Sequence, residues 1–332
     1  MIENIYYWAA AFILAIAFTP LVIKLATKKG FVSKPRSDRW HQKETALLGG
    51  VAIFLAFFIP AVIFAIKTNQ FGKILFCLTL MFILGLIDDL YKICARKKLL
   101  AQTLIAFLVV IITIIIPDSL LSLAISALVV LWIVGITNAF NLIDNMDGLS
   151  AGISALTILP MLAINAYFNQ TALFAINSIF LAATAGFLFY NFNPAKIFMG
   201  DAGSLFIGFF LSISAIGMIS QSPLPTEQMV IATLLIFFVP LFDMSYVTIM
   251  RKIHGRKITI GGKDHTSHRL AVITKSEQMP VLILYFLNIL AGMAGWWLIT
   301  RNFIFFTGTV ALLIICSVYI FFRVAKINVY QN

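Results

Sequence analysis

The stretch KILFCLTLMFILGLIDDLYK, residues 73–92, decides the fold. Its first fifteen residues are almost wholly apolar, and it then closes on two adjacent acids, Asp88 and Asp89. A run of that length reads as one crossing of a bilayer, because about 20 apolar residues at 1.5 Å each span the hydrocarbon. The acids then stand where hydrocarbon gives way to headgroups, a place where a carboxylate is costly unless paired, metal-bound or wet.

The rest of the chain repeats the pattern. Of 332 residues, 61% are hydrophobic and 11% charged, against roughly a quarter charged in soluble domains. Apolar runs predict about eleven spans, near 5–26, 47–66, 73–90, 101–116, 119–140, 148–168, 172–190, 204–220, 229–250, 281–299 and 303–322. The expectation is an all-α polytopic membrane bundle forming a single domain over residues 1–332. The first run lacks a basic leading segment and is long enough to span, so it reads as a span and not as a cleaved leader. The loop at about 251–280 has room for a short helix or hairpin but not a separate core. Cys77, Cys94 and Cys316 have no paired spacing, which speaks against disulfides and against a zinc knuckle.

Charge predicts an orientation. The net charge is +11. In a soluble chain that would suggest nucleic acid; in this one it reads as the cytoplasmic excess of Lys and Arg. Lys28, Lys29, Lys34, Arg36, Arg39 and Lys43 crowd the first loop, and Lys92, Arg96, Lys97 and Lys98 the third. Lys67, Lys73 and Arg301 fall on the other side. The N-terminus is therefore expected outside and the C-terminus in the cytoplasm. Among the acids only Glu3, Asp118 and Glu227 map outside, whereas Asp88, Asp89, Asp144, Asp147 and Asp201 gather at helix ends on the basic side.

Each polar segment has a plain alternative. Asp88 and Asp89 could be a solvated helix end beside Lys92. NAFNLIDNMDGLSAG (138–152) could be a turn, but a turn needs one or two polar residues, and this one holds Asn138, Asn141, Asp144, Asn145 and Asp147. In NFNPAKIFMGDAGS (191–204), Asp201 between Gly200 and Gly203 could be a helix cap, or part of a phosphate cradle at a helix N-terminus. GGKDHTSHRL (261–270) could be a solvated basic loop; its His265 and His268 lack a third soft ligand for zinc. Asp243, alone in PLFDMS, is equally a buried structural acid or a site residue. Taken together, oxygen ligands without a cysteine cluster suit Mg²⁺ or Mn²⁺, and nearby Lys, Arg and His suit a pyrophosphate. The implied chemistry is metal-assisted phosphoryl transfer to a lipid at one membrane face. A transporter would place its acids near the midplane on broken helices, and these lie at one face.

The segments LGLIDDLY, NAFNLIDNMDGLSAG, NPAKIFMGDAGSLFIG, PLFDMSYV and DHTSHRL, in this order, resemble the polyprenyl-phosphate N-acetylhexosamine-1-phosphate transferases, which include the phospho-MurNAc-pentapeptide enzymes. The resemblance implies transfer of a sugar-1-phosphate from a UDP-sugar to undecaprenyl phosphate with release of UMP, dependent on Mg²⁺ or Mn²⁺, at the cytoplasmic face. By motif position it implies a metal at Asp201 and Asp88, catalytic roles for Asp88, Asp89, Asp201 and Lys98, and substrate binding by Asn141, Asp144, Asp147, His265, His268 and Arg269. Lys98 and Gln102 match a pattern that follows the aspartate pair. Arg39 and His41 match the first loop, which here lacks the usual prolines before Gly49 and Gly50. Asn145 stands where many members have Gly. DHTSHRL differs from the triple histidine of the pentapeptide enzymes, which favours UDP-GlcNAc or a related UDP-N-acetylhexosamine as donor. The partners expected are this donor, the undecaprenyl phosphate acceptor and the bilayer, with no nucleic acid; a homodimer is compatible with this reading.

Overall fold

The computed structural model describes residues 5–33, 44–113, 119–257, 262, 264–325 and 327. Glu3, Asp118, Lys34, Arg36, Lys43 and the first-loop matches Arg39 and His41 lie outside them. Thirteen helices follow in order: α1 Ile5–Lys28, α2 Gly49–Thr68, α3 Gly72–Tyr91, α4 Ala95–Thr113, α5 Leu120–Ile143, α6 Leu149–Tyr167, α7 Thr171–Asn191, α8 Gly200–Ser220, α9 Thr226–Ile236, α10 Phe238–Ile253, α11 Thr266–Thr274, α12 Gln278–Ile299 and α13 Phe303–Ala325. The all-α membrane bundle is what the apolar runs require, since a helix is the one open-ended element that satisfies its own backbone in lipid.

Among the described residues, nine of these helices are long and apolar enough to cross a membrane, and ten spans result if α9 and α10 count as one. α4 stays outside that number because Arg96, Lys97 and Lys98 occupy its first turn. The expected span 229–250 is corrected: it is two helices meeting at 70° across Phe237. Pro240 explains the break. It has no N–H to give the carbonyl of Ile236 and its ring would strike that carbonyl, so the helix restarts with the proline in its first turn, where none is needed. The short α11 lies in the loop after α10.

A two-residue ribbon interrupts the helical pattern. β1 (Val32–Ser33) pairs antiparallel with β2 (Thr45–Ala46). The chain beyond β2 then straps the approach to α8: Phe198 N donates to Ala46 O at 2.8 Å, Gly49 N to Phe198 O at 2.9 Å and Gly50 N to Met199 O at 2.8 Å. α8 is the central helix, fully or nearly buried from Ala202 to Ala215. Its start is crossed by α2 and α3 at glycines. A Cβ on Gly50 would meet Gly203 N at 2.1 Å, and one on Gly85 would meet Asp201 O at 2.4 Å. No side chain fits at either contact, so backbone approaches backbone and the loops at this end of the bundle are held close.

Candidate active site

α3 delivers the aspartate pair. Successive helical residues diverge by about 100°, so neighbours in sequence face different partners. Asp89 turns to α8: Oδ1 accepts from Asp201 N at 2.8 Å and Oδ2 from Ala202 N at 2.9 Å. Met199, the residue before α8, offers no side-chain cap, so Asp89 satisfies the orphan N–H groups of that helix from a neighbouring helix. Gly200 makes room, with φ +72° and a would-be Cβ 2.7 Å from Asp89 Oδ2. Asp88 turns the other way. Its Oδ1 accepts from Ile93 N at 2.6 Å and its Oδ2 from Lys98 Nζ at 2.9 Å.

Lys98, in the first turn of α4, joins three elements. Besides Asp88 it donates to Asp201 Oδ2 and lies 3.5 Å from Asn141 Oδ1. Asn141, near the end of α5, donates to Asp201 Oδ1 at 3.0 Å and to Ser204 Oγ at 2.9 Å. One turn along both helices, Asn138 Nδ2 donates to the buried Gln102 Oε1 at 2.7 Å. Residues four apart on α4 thus meet residues three apart on α5, the spacings that put side chains on one helix face. Asp88, Asp89, Lys98, Asn141 and Asp201 form one bonded network. Within it the Asp201 side chain is more open than that of Asp88, 30% exposed against 9%.

Asp144 follows directly on α5. Loss of water and the charges of Asp201, Asp89 and Asp147 push it up to about 8. That convergence of carboxylates invites a cation. Asp147 shares the loop but is spent on the segment before α8, its Oδ2 accepting from Asn193 Nδ2 at 3.1 Å and Ala195 N at 2.9 Å. Tyr285 of α12 supports the same loop, donating to Gly148 O at 2.6 Å through the gap left by Gly152.

The histidine loop is built from outside the motif. Asp243, on α10 and 1% exposed, takes His265 Nδ1 at 2.8 Å and Thr266 N at 2.8 Å. A carboxylate only accepts, so His265 presents a proton on Nδ1 to Asp243. Arg251 grips Asp264 through two bonds of 2.7 Å in a buried bidentate pair. His268 is 6% exposed, and burial with the charge of His265 pushes it down to about 4, so its ring is neutral near pH 7. Arg269 ties the same loop to the end of α13. It is 1% exposed, lies 5.5 Å over the Tyr246 ring, and donates to the carbonyls of Asp264, Val324 and Ile327.

Among the described residues, no three His, Cys, Asp or Glu side chains close around a common point. The donor set nonetheless fits a hard divalent ion, which asks for one or two carboxylates and takes water and phosphate oxygens for the rest. Asp201 and Asp88 are the two carboxylates that already share one positive charge, that of Lys98. Arg251 and Tyr285 are supports outside the motifs, whereas Asp243, Asp264 and Ser267 lie within PLFDMSYV and DHTSHRL, where Asp243 reads as structural or site and the other two are given no role. Arg251 and Tyr285 left no such signal.

Comparison with known proteins gives three results. A model of glycosyl transferase family 4 matches residues 71–219. A probable undecaprenyl-phosphate N-acetylglucosaminyl 1-phosphate transferase of Bacillus subtilis (strain 168) is 32% identical over 305 residues, 89% of this chain and 85% of the relative. A phospho-N-acetylmuramoyl-pentapeptide-transferase of Staphylococcus aureus (strain JH9) is 29% identical over 324 residues, 88% of this chain and 98% of the relative.

Proposed function

The chain belongs to glycosyl transferase family 4, and from that premise we propose that it transfers GlcNAc-1-phosphate from UDP-GlcNAc to undecaprenyl phosphate at the cytoplasmic membrane face, releasing UMP and starting a cell-wall or surface polymer. The observation that carries the reading is the Lys98–Asp88–Asp201–Asn141 network at the start of α8. It lies at the ends of apolar helices, where the phosphate of a membrane lipid also lies. A transporter reading loses ground on the same observation, since the acids sit at helix ends and not at mid-span.

In the proposed reaction an oxygen of the acceptor phosphate attacks the β-phosphorus of the donor. The bond from that phosphorus to the bridging oxygen breaks, and UMP leaves with the electron pair. The acceptor phosphate is largely ionised at pH 7, so no strong base is required. The main obstacle is repulsion between two anionic phosphates. Lys98 supplies a fixed positive charge, and Asp89, by capping the N-terminus of α8, holds Asp201 beside it. Asn141 keeps the Asp201 carboxylate oriented. Asp201 and Asp88 are the residues that would hold Mg²⁺ or Mn²⁺, which when bound neutralises phosphate charge. Asp144, Asp147, His265 and His268 are assigned to the donor side. The acceptor's tail has a candidate seat in an apolar cavity of about 920 Å³, lined among others by Leu78, Trp132, Phe210 and Val230.

Purified protein with Mg²⁺, undecaprenyl phosphate and UDP-GlcNAc is expected to release UMP, and Asp201→Asn to lower the rate at least ~100-fold with the fold kept. The same assay run with UDP-MurNAc-pentapeptide tests the sister activity. A folded sample inert toward every UDP-N-acetylhexosamine, or an Asp201→Asn variant of near-normal rate, overturns the proposal.

A further inference from the structure

The segment 264–269 is fastened at three points to its own surroundings: Asp264 to Arg251, His265 and Thr266 to Asp243, and Arg269 to Val324 and Ile327. Ser267 reaches elsewhere. Its Oγ donates to Asn145 Oδ1 at 2.7 Å, joining residues 122 apart in sequence. Asn145 cannot swing away freely, because its Nδ2 donates to Leu142 O at 2.9 Å and its backbone N to Ile143 O at 2.9 Å. Its amide oxygen is thereby aimed at Ser267. The His268 ring stands beside the Asn145 backbone on the same side. Asn145 itself sits between Asp144 and Asp147.

We propose that the Asn145–Ser267 bond is a latch that sets the spacing between the Asp144–Asp147 loop and the histidine loop, making both side chains positioning residues for the nucleotide-sugar donor. The proposal rests on the assignment of those two loops to the donor. Neither side chain needs to touch the donor. Each fixes a loop that does, so loss of the bond widens the range of loop separations the donor must select from. That weakens donor capture, and it leaves the acceptor and the Lys98–Asp88–Asp201 network as they are. It also makes the two side chains interdependent: once one partner is gone, removing the other costs nothing more.

The test measures steady-state kinetics with UDP-GlcNAc and undecaprenyl phosphate on Asn145→Ala, Ser267→Ala, the double variant and Ser267→Thr, which keeps the hydroxyl. The donor KM is expected to rise about fivefold in each single variant, the scale of one neutral hydrogen bond. It should rise no further in the double variant and should stay near its original value in Ser267→Thr. kcat, acceptor KM and Tm should hold within about twofold or 2 °C. His265→Gln serves as the control for the donor assignment. If it raises donor KM while Asn145→Ala and Ser267→Ala do not, the latch fails alone. If none of the three moves donor KM, the donor assignment fails and the latch with it. Additive effects in the double variant, or a fall in kcat at constant donor KM, also overturn the latch.

Discussion

Asp88 and Asp89 adjoin in sequence and divide the work. Asp89 spends both oxygens on the backbone of α8, whereas Asp88 shares Lys98 with Asp201. A similar division separates the two histidines, since Asp243 holds His265 while His268 is buried without a carboxylate partner. His268 gives a pH dependence. The unfolded chain takes up its proton near 6.5, the folded chain only near 4. Between those values the unfolded state binds more protons, so stability falls as pH falls; above about 6.5 the effect is absent. The difference corresponds to roughly 3 kcal/mol. Melting in detergent between pH 7 and 4.5 should show the wild type losing stability relative to His268→Gln as pH falls, because Asp144, raised to about 8, adds the opposite slope to both proteins. An equally steep decline in the variant would assign the effect to other groups.

At the scale of elements, the segment 264–269 depends on α10, which sends Asp243 and Arg251 to it. Removing one member of a buried bidentate pair strands the other charge, at a typical cost of ~3–5 kcal/mol, whereas replacing both by apolar residues is far milder. Arg251→Leu should therefore lower Tm strongly, and Arg251→Leu with Asp264→Leu should recover most of the loss. A double variant no better than the single would mean the pair is not the main anchor. The α9–α10 bend belongs to this scale too. Hydropathy runs unbroken through Phe237, so run length predicted one span; Pro240 was the legible warning, but a proline inside a span is often tolerated, as Pro20, Pro60 and Pro160 are here.

For the whole molecule, apolar run length and the placement of acids were enough to predict the bundle and to gather the acids of the network at one end. The family resemblance marked Lys98 and Gln102, which share one face of α4. What stayed hidden was every contact made by side chains far apart in sequence, such as Ser267 with Asn145 and Arg269 with the carbonyls of Val324 and Ile327, because a motif gives residue type and not direction. Orientation remains a proposal from the positive-inside rule, with a direct measurement. Cys94 is exposed in the α3–α4 turn beside the carboxylates. In intact cells a membrane-impermeant maleimide should spare Cys94 and should modify a cysteine introduced as Arg301→Cys. The reverse pattern would invert the topology.

The bonds from Arg269 to the carbonyls of Val324 and Ile327 bear on how the protein is handled. α13 is largely lipid-facing, with only Leu313, Ile320 and Val324 buried along its length. A detergent that strips surrounding lipid acts first on such a helix, yet its last turn is what Arg269 holds. A purification tag fused at the C-terminus, or a protease cut there, is expected to perturb the histidine loop through Arg269.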